Sequence, residues 1–169
     1  LRCHSEYSIS DGIVRIPDYV KKALETNMPS LALTDLSNLF GAVKFYKSAI
    51  ASGIKPIFGA DVWIENDASS EQPHKMLLLC QDQQGFNNLS ELLSKAYLEN
   101  QVRGKPMIKK NWIFESHDGL IVLSGSLHGS IGKLLDQNKI SEAREELLLW
   151  NKIFQDRFYL EVQLSLIHI

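Results

Sequence analysis

Residues 28–62 read MPSLALTDLSNLFGAVKFYKSAIASGIKPIFGADV, and they contain two strand patterns with one helical pattern between them. Ser30–Thr34 and Ile54–Phe58 are short apolar runs of strand length. The helix is predicted from four apolar residues at spacings of four, three and four, which share one helical face: Leu39, Val43, Tyr46 and Ile50. Gly53 then ends this helix. The stretch therefore predicts a strand, a helix and a second strand in succession.

The same alternation continues on both sides of this stretch. Four further runs predict strands: Asp61–Glu65, Met76–Cys80, Leu120–Ser124 and Phe158–Val162. One further helix is predicted from Pro17 to a left-handed cap near Asn27, and another from Ser141 to Phe154. A third is predicted from a single apolar stripe: Leu89, Leu92, Leu93, Ala96 and Tyr97. Strands that alternate with helices predict an α/β fold with parallel pairing.

Two architectures fit this pattern, an open doubly wound sheet and a barrel. No glycine-rich phosphate loop follows the first strand, which weakens a nucleotide-binding interpretation. In a barrel, the chemistry lies at the carboxyl ends of the strands. Polar residues are predicted there: His4, Asp35, Asp61 and Ser126.

Composition limits the classes of function. The formal net charge is −2, from 18 basic and 20 acidic residues, whereas a surface that neutralises many phosphates carries a basic excess. The local basic group at Arg103, Lys105, Lys109 and Lys110 is most simply a solvated loop. With two isolated cysteines, Cys3 and Cys80, no disulfide framework is predicted. No membrane-length apolar run and no signal peptide are visible, so we expect a cytoplasmic location without a membrane partner.

The last six residues, Leu164–Ile169, do not fit the pattern that precedes them. They match the translation of a transposon adapter used in shotgun sequencing. We therefore expect residues 1–163 to be natural sequence and residues 164–169 to be an adapter-derived tail, which excludes His168 from the chemistry.

Four stretches together resemble the polymerase-and-histidinol-phosphatase (PHP) domain that opens the alpha subunit of bacterial DNA polymerase III. They are RCHSEYSISDG (residues 2–12), MPSLALTDLSNLFGAVKFY (28–46), GIKPIFGADV (53–62) and GFNNLSELLSKAY (85–97). The resemblance implies a distorted TIM-like (β/α)7 barrel, of which residues 1–163 are an incomplete N-terminal portion. It also implies that the Mg²⁺-binding polymerase core lies outside this chain.

Active PHP domains resemble one another in a cluster of His, Asp, Glu and Cys that holds two or three metal ions and hydrolyses phosphate esters. The resemblance implies that His4, Asp11 and Asp61 occupy three of the ligand positions. Four other ligand positions carry residues that do not fit: Arg2, Leu36, Lys75 and Ser126. A one-residue shift of the alignment would instead place His74 at the position of Lys75, although neighbouring residues of a strand face opposite sides.

The substitutions predict that the fragment binds no metal and has no catalytic residue of its own. One lysine or arginine charge at ~5 Å from a dication costs on the order of 6–7 kcal/mol at an effective dielectric near 20. We expect Arg2 either to pair with Asp11 or Asp61, replacing the metal's charge, or to point into solvent. A hydrolase triad of His4, Ser5 and Asp11 is disfavoured because no nucleophile elbow is present.

The resemblance implies a noncatalytic scaffold domain within the replicative DNA polymerase, which docks the proofreading exonuclease (epsilon) subunit. The parent protein would bind primer-template DNA, deoxynucleotides, the sliding clamp and the clamp-loader tau subunit through later regions. An active metal-dependent PHP phosphoesterase or 3′–5′ exonuclease is the alternative. A damage-inducible alpha paralogue is a third reading, although the SEYSISDG string after His4 looks more like the replicative form.

Overall fold

The computed structural model describes residues 2–9, 11–65 and 73–163, so the predicted tail at 164–169 lies outside the described residues. The strands are β1 (Ser30–Leu33), β2 (Lys55–Ile64), β3 (His74–Cys80), β4 (Gln101–Val102), β5 (Lys105–Ile108), β6 (Leu120–Leu123) and β7 (Phe158–Tyr159). The helices are α1 (Ile16–Glu25), α2 (Ala42–Ala51), α3 (Gln83–Glu99), α4 (Lys110–Glu115), α5 (Ser130–Asp136) and α6 (Ile140–Phe154). Short 3₁₀ turns occupy Glu6–Ser8, Ser126–His128 and Gln155–Arg157.

The seven strands form one mixed sheet in the order β4-β5-β2-β3-β6-β7, with β1 also paired to β2. Three pairs are parallel, as predicted: β1–β2, β2–β5 and β6–β7. The other three pairs, β2–β3, β3–β6 and β4–β5, are antiparallel, so the expectation of parallel pairing throughout was wrong. Only residues 65–73 join β2 to β3, and a parallel crossover needs a dozen residues or more.

Strand β2 corrects a second expectation. The predicted strands Ile54–Phe58 and Asp61–Glu65 are one continuous strand. Gly59, in the middle of this strand, lets β2 pack closely on β3, because a Cβ at that position would lie 2.5 Å from the carbonyl oxygen of Leu78. Asp61 therefore lies within a strand, and not at the carboxyl end where the barrel pattern predicted it.

Helices cover the outer face of the sheet. Alternate residues of β2, β3 and β6 point outward into the main core, where α3 and α6 contribute Leu89, Leu92, Trp150 and Phe154. A second cluster joins α1 and α2 to β1 through Ile16, Val20, Leu31 and Phe45. Three aromatic side chains, Trp112, Trp150 and Phe154, are buried in the main core.

Helix α2 buries a different apolar stripe from the one that the sequence predicted. Val43, Tyr46 and Ile50 are 67%, 51% and 52% exposed, whereas Phe45 and Ala49 are fully buried against β1 and β2. The helix carries two adjacent apolar stripes, so periodicity alone cannot decide which one faces the sheet.

The other predicted helices match α1, α3 and α6, and Asn27 takes the expected left-handed conformation with φ of 54°. Cys3 and Cys80 are free thiols. Among the described residues, no helix combines the length and the apolar character needed to cross a bilayer.

Candidate functional site

The N-terminal segment is held against the end of β1 by Asp35. This carboxylate is 1% exposed and accepts hydrogen bonds from the amide of Ser5 (2.6 Å) and the hydroxyls of Ser5 (2.9 Å) and Ser8 (2.7 Å). The amide of Thr34 also donates to the carbonyl of Cys3 over 3.0 Å. Asp35 is therefore a structural acceptor, and it anchors the segment that carries Arg2 and His4.

Asp61 is the buried centre of the site. Its side chain is fully buried, and its Oδ2 accepts from Nη1 of Arg2 at 2.8 Å and lies 3.1 Å from Nε2 of His4. Its Oδ1 has no hydrogen-bond partner in the part of the chain that the structure describes. The backbone of Asp61 bonds to the segment around Leu36, which places that aliphatic side chain beside the site. The ion pair between Arg2 and Asp61 is one of the two that the sequence led us to expect.

Arg2 makes a second ion pair, with Glu161. Nη2 of Arg2 lies 2.7 Å from Oε2 of Glu161, and the two side chains are 20% and 13% exposed. The guanidinium thus joins the first segment of the chain to β2 and to the segment after β7. The sequence analysis did not single out Glu161. The available signal was its spacing: Glu161 lies two residues after Tyr159 in a predicted strand, and residues two apart in a strand point to the same face.

His4 and Lys75 complete the cluster around Asp11. Nδ1 of His4 and Nζ of Lys75 lie 3.1 Å and 3.7 Å from Oδ2 of Asp11. The hydrogen bond to Asp61 is the main cause that raises the pKa of His4 above its usual value, against the opposing effect of burial. A protonated His4 donates to a carboxylate through each ring nitrogen.

The remaining predicted positions divide between the two faces of the sheet. Lys75 faces the site, whereas His74 lines a cavity of about 250 Å³ on the other side with Met76 and Trp150. The alignment shift that would make His74 a ligand is therefore wrong, because strand geometry points it away from Asp61. Ser126 lies in a 3₁₀ turn next to Gly125, where the turn backbone contacts the backbone of Lys75.

The donor set does not fit a metal cluster. Oδ2 of Asp61 already contacts Arg2 and His4, both nitrogens of His4 face carboxylates, and Leu36 offers no donor atom. In the described part of the chain, no three His, Cys, Asp or Glu side chains are grouped as a metal site requires. In this arrangement, side-chain cations at fixed positions neutralise the charge of the carboxylates.

Comparisons with known proteins identify the family of the chain. The PHP domain family matches residues 1–165. The chain is 42% identical over 163 residues to the DNA polymerase III subunit alpha of Pseudomonas fluorescens. The corresponding identity is 41% over 162 residues for Vibrio cholerae and 38% over 162 residues for Escherichia coli strain K12. Each match covers 96% of this chain, which spans 14% of the length of these relatives.

Among solved structures, the chain is similar in fold to a crystal structure from Bifidobacterium adolescentis, described as a metal-dependent phosphoesterase, with a TM-score of 0.51 and 11% identity. The match covers 75% of this chain and 66% of that one, and it supports the fold alone. From the family match over nearly its whole length, this chain belongs to the PHP domain family.

Proposed function

We propose that this chain is the opening part of the PHP domain of a replicative DNA polymerase III alpha subunit, and that it acts as a metal-free scaffold. The observation that carries the proposal is the contact of one guanidinium, that of Arg2, with both Asp61 and Glu161. A fixed cation there removes the repulsion between carboxylates that a metal relieves in active PHP domains. The side chains thus stabilise the fold and leave no activated water for hydrolysis.

In this proposal, the scaffold docks the proofreading exonuclease (epsilon) subunit. The parent extends primers on template DNA with deoxynucleotides, using Mg²⁺ in a polymerase core outside this chain. Its other partners are the sliding clamp and the clamp-loader tau subunit. The similarity to DNA polymerase III alpha subunits from three genera supports the identity of the parent.

Metal content tests the scaffold role. In the full-length parent, we expect substoichiometric zinc and manganese and no phosphatase activity on p-nitrophenyl phosphate. The double variant Arg2→His/Leu36→His removes one cation and adds two donors. The repulsion between one side-chain cation and a metal dication, even at half of its estimated size, weakens metal binding by about a hundredfold. Because this variant lacks that cation, it should bind metal more tightly.

The control is Arg2→His/Leu148→His, which places the second histidine on the exposed face of α6. It should gain less metal than the variant at Leu36. Stoichiometric metal in the unmodified protein, together with phosphatase activity, would establish the alternative of an active phosphoesterase.

Hydrogen exchange tests the docking role. Addition of the exonuclease subunit to the full-length parent should slow amide exchange in peptides from residues 2–163. If the two subunits form a complex and every peptide in this range exchanges at an unchanged rate, the docking proposal is wrong.

A further inference from the structure

Basic side chains gather around the β4–β5 hairpin. Residues 95–110 carry five basic side chains and one acidic side chain, that of Glu99, so the formal charge of this segment is +4. Because the whole chain has a formal charge of −2, the rest of the chain carries −6. The charge of the molecule is therefore uneven, and a local basic excess attracts polyanions even on a protein that is acidic as a whole.

Four of these five cations are not engaged by carboxylates. The fifth, Lys110, is paired with Glu146. No ion pair between described residues involves the other four, here called the hairpin cations: Lys95, Arg103, Lys105 and Lys109. Their charge is therefore available to a ligand.

Tryptophan rings hold three of the hairpin cations in place. Nζ of Lys95 and Nζ of Lys109 lie 4.3 Å and 5.5 Å from the ring centroid of Trp112. Nζ of Lys105 lies 4.9 Å from the ring centroid of Trp63, on the strand next to β5. Attraction to the ring positions each ammonium group and leaves N–H groups for other acceptors. Less ordering entropy is then lost when an anion binds.

The fourth hairpin cation stands on a strained turn. Val102 and Lys105 pair across a two-residue loop in which Arg103 and Gly104 both have positive φ, 52° and 76°. Asparagine, aspartate or glycine is preferred at the first position of such a loop, because other side chains are strained at positive φ. An exposed arginine in this conformation points to a use for its side chain.

We propose that the hairpin cations bind the phosphate backbone of DNA, independently of base sequence. The inference goes beyond the proposed function, in which later regions of the parent bind DNA, and it rests on that function for the identity of the polyanion. Lysine ammonium groups act on phosphates as point charges, and at least half of protein–DNA hydrogen bonds go to the backbone.

An acidic peptide fits this surface less well than DNA does. Peptide partners bind most tightly through apolar anchors that fill pockets. Trp112 offers no such pocket, because it is 8% exposed beneath Lys95 and Lys109. The surface thus presents charge rather than apolar area.

Salt-dependent DNA binding by the full-length parent tests the proposal. The probe is a fluorescent primer-template with a single-stranded overhang, and its affinity is measured by anisotropy over a range of salt concentrations. The test variant is Lys95→Gln/Arg103→Gln/Lys105→Gln/Lys109→Gln. Each lost phosphate contact reduces the slope of log affinity against log salt by about 0.9 on duplex DNA. We expect a total reduction of about 2–4, with affinity at least about tenfold weaker at ~0.15 M salt.

The matched control removes the same charge elsewhere. It is Lys21→Gln/Lys47→Gln/Arg144→Gln/Lys152→Gln, at exposed positions of α1, α2 and α6. Its salt slope should stay within about 0.5 of that of the unmodified parent. An equal fall in the control would overturn the proposal, because the effect would then follow from net charge and not from this surface.

Substitutions at Arg103 separate charge from stability. Arg103→Asn removes one charge and suits the turn, so the thermal midpoint should stay the same or rise while the salt slope falls by about 1. Arg103→Lys keeps the charge and should keep the slope. If the four-residue variant does not fold, this pair decides the question.

A salt slope that is unchanged in the folded variants would overturn the proposal. Loss of binding to the exonuclease subunit with unchanged DNA affinity would also overturn it, and would assign the surface to that protein. Primer extension by the same preparations separates this inference from the proposed function. Active extension with an unchanged slope would contradict the DNA surface alone, whereas a full-length parent without any extension activity would contradict the proposed function itself.

Discussion

Two carboxylates, the fully buried Asp61 on the inner face and the partly buried Glu146 on the outer side, are each held by a basic side chain. Glu146 accepts hydrogen bonds from Lys110, Ser130 and the indole of Trp150, which occupy both of its oxygens. Asp61 uses one oxygen for two donors and leaves the other without a partner among the described residues. The outer cluster is thus a fully satisfied structural ion pair, whereas the inner one retains an acceptor that no described side chain or amide uses.

Removal of the inner cation should have the largest effect. Arg2→Met leaves Asp61 fully buried with His4 as its remaining donor, and it leaves Glu161 without this cation. A buried charge that loses its partner costs several kcal/mol, so we expect a loss of about 3 kcal/mol in the free energy of unfolding, measured by urea titration. The double variant Arg2→Met/Asp61→Leu should recover most of that loss, and a double variant as unstable as the single one would show that the ion pair is not the cause.

The matching change in the outer cluster should cost less. Lys110→Met removes the cation from Glu146 but leaves the donors of Ser130 and Trp150 in place. We expect a loss of about 1.5 kcal/mol by the same titration, the lower end of what a hydrogen bond to a charged group contributes, because Glu146 is partly exposed and keeps its other donors. Equal losses for Arg2→Met and Lys110→Met would remove the contrast between the two clusters.

The smallest effect should appear in the pH dependence of stability, with opposite signs for the two clusters. The pKa of His4 is raised, so its contribution is complete below about pH 6.5 and is lost as the pH rises through the higher pKa of the folded state. Burial alone would raise the pKa of Glu146, but hydrogen bonds from Lys110 and Trp150 outweigh it and lower that pKa. The contribution of Glu146 is therefore complete above about pH 4.5 and is lost as the pH falls through the lower pKa of the folded state.

Variants separate these two contributions. In urea titrations from pH 3 to pH 9, His4→Gln should flatten the alkaline side of the profile, and Glu146→Gln should flatten the acid side. His128→Gln is the control for the first, because His128 lies on an exposed turn. An alkaline slope that persists in His4→Gln would assign it to another group.

The outer half of the fold was predictable because its patterns are local. Four of the five residues of the predicted α3 stripe are buried, Leu89, Leu92, Leu93 and Ala96, whereas Tyr97 is 39% exposed at the end of the helix. The α2 stripe was not predictable, because Phe45 and Ala49 form a second apolar stripe beside that of Val43, Tyr46 and Ile50, and the packing against β1 and β2 chose between the two. The direction of β3 likewise depended on how the chain turns after β2.

The site was predictable in part. Arg2, His4 and Asp61 were singled out from sequence and lie together, and Asp11 and Lys75 join them. Glu161 was not foreseen, because it is 159 residues from Arg2 in the chain and only the order of the strands in the sheet brings the two together. The anchoring role of Asp35 was not foreseen either, because it depends on where Ser5 and Ser8 lie in the folded chain.

The sequence by itself determined which residue types are available, and thus that basic and aliphatic side chains stand among the carboxylates of a PHP domain. It also determined the helices and strands whose apolar spacing is unambiguous, since that information is carried by near neighbours. Only the tertiary structure decided which carboxylates share the guanidinium of Arg2, which stripe of α2 stays exposed and which face of the sheet stays open. Those outcomes depend on contacts between residues far apart in the chain, and local spacing does not encode such contacts.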